Sequence, residues 1–329
     1  MTDFNAETSR VADAVPNSWV YRYLPSSVVP YAQLARWDRP IGWWLLLWPC
    51  WWSLALALGV FFQDPVLREN WTFFLPYLLA AFGAFQLGAI AMRGAGCTYN
   101  DIVDVDIDEK VARTASRPIP SGRVSRFQAW AFLGAQALLG LIVLLFLSMF
   151  KGGFNGFAFY LGLLSLGTVV VYPFAKRLTY WPQFFLGLAF SWGALMGWAV
   201  IHDDLHVAPF VLYAGCICWV IGYDTIYAHQ DREDDAIVGV KSTARLFQDN
   251  TKPALLVLYV LATALFAFAF WQGGASLPTF LGLALGAGHL IWQIWTLDID
   301  DADLCLRLFQ SNNYFGAILF VGLLIDIVI

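Results

Sequence analysis

Runs of about 20 apolar residues recur along the whole chain, each long enough to cross roughly 30 Å of hydrocarbon. The runs lack the alternating polarity of a barrel strand, and a backbone in lipid must satisfy its own hydrogen bonds, so each run predicts a helix. Nine spans are expected, at 41–61, 74–97, 128–149, 155–173, 184–201, 207–229, 254–271, 278–297 and 313–329. The signal is weakest for 184–201 and 313–329, which are short and carry glycines. The expected architecture is an all-α polytopic membrane protein. Its nine-transmembrane-helix bundle fills one membrane domain, 31–329, after a polar N-terminal segment, 1–30.

Composition removes the soluble alternative. Of 329 residues, 59% are hydrophobic and only 13% are charged, too few to cover a water-exposed surface. The formal net charge of −5 matters less than its placement. Arg68 and Lys151 fall in loops of one side and Arg93 near the end of a span; every other Lys and Arg lies on the opposite side. This asymmetry predicts a cytoplasmic N-terminus, cytoplasmic basic loops and a C-terminus outside. The first forty residues hold Asp3, Glu7 and Asp13 and no early apolar core, unlike a signal peptide or an acid-poor transit peptide. That favours a bacterial inner membrane, with a periplasmic C-terminus, over an imported organellar protein. The expected surroundings are a lipid bilayer, with no nucleic acid. The cysteines Cys50, Cys97, Cys216, Cys218 and Cys305 form no CxxC and read as small packing residues.

The polar chemistry is concentrated in two long loops on the basic side, 98–127 and 230–253. The first holds NDIVDVDIDEK from Asn100; YDTIYAHQDREDD starts at Tyr223, at the end of its span, and runs into the second. Asp101, Asp104 and Asp108 stand at i, i+3 and i+7; Asp224, Tyr227, Asp231 and Asp235 at i, i+3, i+7 and i+11. At about 100° per residue each set falls within an arc of roughly 60–80°, whereas Asp106 points about 140° away from Asp101. Asp106, Glu109, Glu233 and Asp234 therefore read as solvated bystanders. Each on-face set continues an expected span, so its acids should emerge at the same membrane mouth.

Carboxylates crowded at a membrane edge need a counter-charge. Oxygen donors without a clustered His or Cys favour Mg²⁺, which takes one or two carboxylates and completes its shell with water and phosphate. Two such sets, each followed by Lys and Arg, point to cations bridging a bound diphosphate.

At these residues the sequence resembles the UbiA family of intramembrane aromatic prenyltransferases. The motif NDxxDxxxD matches Asn100, Asp101, Asp104 and Asp108, and DxxYAxxDxxxD matches Asp224, Tyr227, Ala228, Asp231 and Asp235. RxDRPIG at 36–42, RTxSRPIPSG at 113–122, YPFAKRLTYWPQ at 172–183 and the stretch from Asp303 to Asn312 match as well, and resemble the 4-hydroxybenzoate polyprenyltransferase branch. The resemblance runs from about residue 30 to the C-terminus. It implies a UbiA-like nine-helix bundle binding Mg²⁺ and a polyprenyl diphosphate. It also implies transfer of the prenyl chain to the ring carbon ortho to the hydroxyl of 4-hydroxybenzoate, an early step of ubiquinone synthesis.

On that basis Asp101, Asp104 and Asp108 form one expected metal set and Asp224, Asp231 and Asp235 the other. Asn100 is open to metal ligation, phosphate bonding or a helix C-terminal cap. Arg113, Arg117, Lys176, Arg177 and Lys241 are candidate phosphate contacts, and also serve the positive-inside bias. Arg36 or Arg39 is the candidate for the benzoate carboxylate. Tyr227 is expected to orient the acceptor or shield a carbocation, and Asp231 to draw the phenolic proton.

His202 and His206, spaced i, i+4, read as a polar turn rather than a metal pair. The acidic run Asp298, Asp300, Asp301 and Asp303 reads as a solvated loop, and the tryptophans at 43, 44, 48, 51 and 52 as packing and interface anchors. Two rival functions remain: a sibling enzyme with a naphthoate, homogentisate, porphyrin or sugar-phosphate acceptor, and a cation-coupled transporter. A transporter site would lie near the midplane at broken helices rather than at one mouth.

Overall fold

The computed structural model describes residues 18–109, 114–232, 237 and 239–328. Among the described residues, nine helical segments are long and apolar enough to cross a membrane. They comprise α1 (Ile41–Phe61), α2 (Trp71–Val103), α3 (Arg126–Ser148) and α4 (Gly156–Leu178). Next comes α5, in two pieces, Pro182–Phe190 and Gly193–His202. The last four are α6 (Val207–Ala228), α7 (Thr251–Gln272), α8 (Leu277–Thr296) and α9 (Ala302–Val328).

Two spans differ informatively from the hydropathy pattern. Helix α9 begins at Ala302, well before the expected 313, and so contains Asp303, Arg307, Ser311 and Asn312. Its polar residues lower the local hydropathy, yet the two that are buried, Ser311 and Asn312, are partnered. Asn312 Oδ1 accepts the Trp219 indole N–H at 2.8 Å, and Gln293 Nε2 donates to Ser311 Oγ at 2.8 Å. The weak fifth span is weak because α5 is broken at Ser191–Trp192. The Leu188 carbonyl beside the break accepts the Tyr213 hydroxyl at 3.0 Å, and the Trp192 indole donates to Leu161 O at 3.0 Å. Side chains thus take over bonds that lipid cannot supply.

The chain divides into two compact units. The first comprises residues up to Trp43 together with Leu87–Val143. Two short helices, Trp19–Tyr23 and Val29–Leu34, lead into its RxDRPIG segment. Val20, Val29 and Ala32 are buried with Trp37 packed against them; Leu34, Val105, Ile119, Val124 and Ala129 form a second apolar cluster.

The second unit comprises Trp44–Gln86 and everything from Leu144 onward. Trp52, fully buried, packs its ring 5.2 Å from Trp219 and 5.9 Å from Phe315, centroid to centroid. Its indole donates to Gly316 O at 3.0 Å, while the Trp48 indole donates to Asn313 Oδ1 at 3.0 Å. These tryptophans pack, as expected. Helix α5 lies backbone-to-backbone on α1: a Cβ on Gly197 would sit 2.5 Å from Leu54 N. Ser53 Oγ donates to Ala194 O at 2.5 Å in the same contact. Small residues permit this approach where no apolar driving force exists between helices in lipid. The α8 N-terminus is capped from the far end of α9, because Asp326 Oδ2 accepts Ser276 N–H at 2.8 Å and the Ser276 and Thr279 hydroxyls also donate to this carboxylate.

Candidate active site

The first motif sits where α2 ends. Asn100 and Asp101 are in the last turn of α2, Asp104 at a bend, and Asp108 in a short helix, Val105–Asp108. The helical register survives the bend, since Asp104 N–H donates to Asn100 O at 2.9 Å and Asp108 N–H to Asp104 O at 2.8 Å. The three acids are buried, whereas Asp106 is exposed and paired with Arg126 at 3.1 Å, as the angular argument requires. Helix α2 runs through Asn100, so this residue is no C-terminal cap.

Two guanidiniums hold the buried acids. Asp101 Oδ1 accepts from Arg36 Nη2 at 2.6 Å and lies 3.4 Å from Arg117 Nη1. Arg117 Nη1 also donates to Asp108 Oδ2 at 2.8 Å. Burial pushes the Asp108 carboxyl up; Arg117 opposes this and the charges of Asp101 and Asp104 add to it. Asp101 Oδ2 is buried with no hydrogen-bond partner. Such an atom is costly unless something cationic completes it.

Arg36 and Arg39, expected at the benzoate carboxylate, are engaged within their own unit. Arg36 spends one nitrogen on Asp101, and Arg39 Nε donates to Asp38 Oδ1 at 3.2 Å. Arg113 lies outside the described residues.

In the second unit, Asp224 and Tyr227 lie on the last turns of α6 and Asp231 on the 3₁₀ turn His229–Asp231 that follows. The tighter turn departs from the 3.6-residue repeat assumed for the whole motif. Asp235, Glu233 and Asp234 lie outside the described residues. The Tyr227 ring packs 4.5 Å from that of Phe309, and His229 Nε2 shares a 3.0 Å hydrogen bond with Thr251 Oγ1. Arg232 donates to Asp300 at 2.8 Å. The acidic run is therefore exposed, as expected, but one member ties the second motif to the α8–α9 connection.

Lys176 and Arg177 end α4, near Lys241: Lys241 N–H donates to Lys176 O at 3.0 Å. The Lys241 ammonium donates to Leu178 O at 3.1 Å and lies over the Tyr180 ring. His202 and His206 do not converge: His202 bonds Ala57 O at 3.0 Å and His206 pairs with Asp204 at 3.1 Å.

Among the described residues no three His, Cys, Asp or Glu side chains gather around one point. Mg²⁺ does not need them to, because it takes few protein ligands. Oxygen donors alone, with the unpartnered Asp101 Oδ2 among them, fit a hard divalent cation.

A family model described as the UbiA prenyltransferase family matches residues 46–319. The chain belongs to this family. Three curated relatives, all named 4-hydroxybenzoate polyprenyltransferase, mitochondrial, match over nearly its whole length. The Arabidopsis thaliana protein is 46% identical across 94% of this chain and 71% of its own. The Mus musculus protein is 44% identical across 95% and 78%, and the Homo sapiens protein 43% identical across 92% and 76%.

Among solved structures, a UbiA homolog from Aeropyrum pernix K1 superposes with a TM-score of 0.68 at 26% identity, covering 85% of this chain and 97% of that one. A UbiA homolog from Archaeoglobus fulgidus bound to GPP and Mg²⁺ superposes at 0.59 with 17% identity, covering 91% and 99%, a likeness of fold alone.

This UbiA-family chain is a prenyltransferase, and the transporter reading falls away. The expectation of a bacterial inner membrane, with its cytoplasmic and periplasmic assignments, is overturned: the relatives are mitochondrial and point to a mitochondrial membrane. That expectation leaned on the composition of forty residues, a weaker signal than similarity across the whole membrane domain.

Spacing along the chain did not reveal Gln33, Tyr21 or Arg232 as neighbours of the motifs. Their partners are distant in sequence or lie before the family-like region. The one legible sign was Asp38 itself, an acid inside an otherwise basic and apolar segment.

Proposed function

We propose that the 31–329 membrane domain transfers a polyprenyl chain from polyprenyl diphosphate to 4-hydroxybenzoate. The products are 3-polyprenyl-4-hydroxybenzoate and diphosphate, in ubiquinone biosynthesis. The observation that carries this is the shared name of relatives 43–46% identical over most of the chain. The buried, partly uncompensated acids of the first motif support it independently.

Mg²⁺, held by Asp101, Asp104 and Asp108 and by Asp224, Asp231 and Asp235, would stabilise the departing diphosphate as the prenyl C1–O bond breaks. Arg117 keeps Asp101 and Asp108 together, and Arg36 fixes the Asp101 carboxylate from the other side. Lys176, Arg177 and Arg113 offer charge to the outer phosphate oxygens, with Asn100 bonding one of them, and Lys241 braces the α4 end beside them. Tyr227, its ring backed by Phe309, shields the allylic cation from water and offers it a π face. Asp231 draws the phenolic proton, which raises electron density at the ortho carbon that forms the new C–C bond; that carbon then gives up its own proton and the oxygen regains one, restoring the aromatic phenol. Arg39, through Asp38, keeps the RxDRPIG segment in place.

The test is turnover by purified protein with a polyprenyl diphosphate and a panel of acceptors: 4-hydroxybenzoate, a naphthoate, homogentisate and a porphyrin. C-prenylated hydroxybenzoate is expected, abolished by EDTA and restored by added Mg²⁺. Product from another acceptor alone, or turnover indifferent to EDTA, refutes the assignment.

A further inference from the structure

Behind the first motif lies a network that brings in Tyr21, Gln33 and Arg123, which have no part in the transfer chemistry. Gln33, fully buried in the Val29–Leu34 helix, makes bonds in three directions. Its Nε2 donates to the Tyr21 hydroxyl at 3.1 Å, and its Oε1 accepts from Arg123 Nη1 at 2.8 Å. Its backbone carbonyl accepts from the Arg36 N–H at 3.1 Å and from Arg36 Nη1 at 2.8 Å. The Tyr21 hydroxyl in turn donates to Asp38 Oδ2 at 3.0 Å, and Asp38 has no solvent exposure. Arg36 thus stands between two residues, Gln33 and Asp38, that one hydroxyl ties together.

Arg36 also has φ +57°, the left-handed region, which side-chain-bearing residues seldom adopt. Such a conformation persists only where its surroundings over-determine it. Here the surroundings are polar and specific. A side chain at position 33 must donate to a hydroxyl and accept from a guanidinium at once, which an amide does and a carboxylate or an ammonium does not. The far end of the same guanidinium reaches Asp101 at 2.6 Å.

We propose that Tyr21 and Gln33 are positioning residues for prenyl transfer: they lock the left-handed turn at Arg36 so that its guanidinium fixes Asp101. The helix at 19–23 is thereby part of the working site, although it precedes the segment that resembles the family. This rests on the reading of Asp101 as a diphosphate-side acid.

Tyr21→Phe keeps the ring and removes the hydroxyl that bonds both Gln33 and Asp38. In metal-free protein, amide hydrogen exchange in peptides covering 35–39 should quicken about tenfold, the loss of one or two hydrogen bonds. Gln33→Leu, similar in size and still offering its backbone carbonyl, should do the same. With saturating acceptor, Tyr21→Phe should raise the KM for the prenyl donor about three- to tenfold while changing kcat less. In an Arg36→Ala background Tyr21→Phe should add nothing further to that KM, because its effect runs through Arg36.

Unchanged exchange at 35–39 in both variants overturns the proposal, and so do additive effects on donor KM, since a general structural role would add. If Arg36→Ala leaves donor KM at the wild-type value, the placement of Arg36 and Asp101 beside the diphosphate is what fails. Quickened exchange in Tyr21→Phe tells that result apart from a missing tether.

Discussion

Arg117 spans two acids with one nitrogen, and Asp101 spans two arginines with one oxygen. Buried ions arranged this way hold each other, and removing one leaves the rest uncompensated at a cost of about 3–5 kcal/mol. Asp101→Ala should therefore abolish turnover, by a factor of at least about 100, and lower thermal stability as well. Asp106→Ala removes only an exposed pair with Arg126, an interaction of about 0.2–1 kcal/mol, and should retain most activity. Steady-state rates and melting curves of the two variants check this; equal losses would break the helical-face argument. In the first motif the sorting of on-face acids from the bystander Asp106 was legible in the sequence because i, i+3, i+7 is a local property. Their counter-ions were not. Arg36 lies 65 positions from Asp101, a separation no spacing rule addresses. Lys241, read as a phosphate contact from its charge, directs its ammonium at the Leu178 carbonyl, a use that composition does not reveal.

At the level of elements, hydropathy located the helices and misjudged those with polar residues turned inward. Helix α9 looked short because it buries Asn312 against Trp219, and α5 looked weak because it is broken where it crosses α1. Glycine position is informative in that crossing. Gly197→Ala would place a methyl 2.5 Å from Leu54 N and 2.6 Å from Cys50 O, both backbone atoms that cannot turn aside. The substitution should cost about 1–3 kcal/mol, read as a lowered unfolding midpoint in detergent. Gly59→Ala, with nothing within 4 Å of the new carbon, should leave the midpoint unchanged or raise it.

For the molecule as a whole, each unit carries one motif with its own basic residues, Arg36 and Arg117 in the first, Lys176, Arg177 and Lys241 in the second. Much of the remaining surface is meant for lipid. In α4 only 11% of the most apolar window is buried within the protein, against 72% in α5. A residue such as Leu164, 64% exposed near the middle of α4, touches little protein, yet its surroundings are hydrocarbon. Leu164→Arg should break no protein contact and still lower membrane insertion by about 2.5–3.5 kcal/mol, seen as a reduced share of chain in the membrane fraction. The same substitution on a water-facing helix would be silent. The bilayer was the most legible partner in the sequence, since the exposed apolar side chains of all the spans recognise it at once.

The carboxylate of Asp326 has a consequence in time as well as in space. It caps α8 from a position fifty residues later in the chain than Ser276, whose backbone N–H it accepts. During translation, then, α8 emerges with an open N-terminus and stays so until nearly all of α9 has followed it. The last hairpin can close only once α9 has been made almost to Val328.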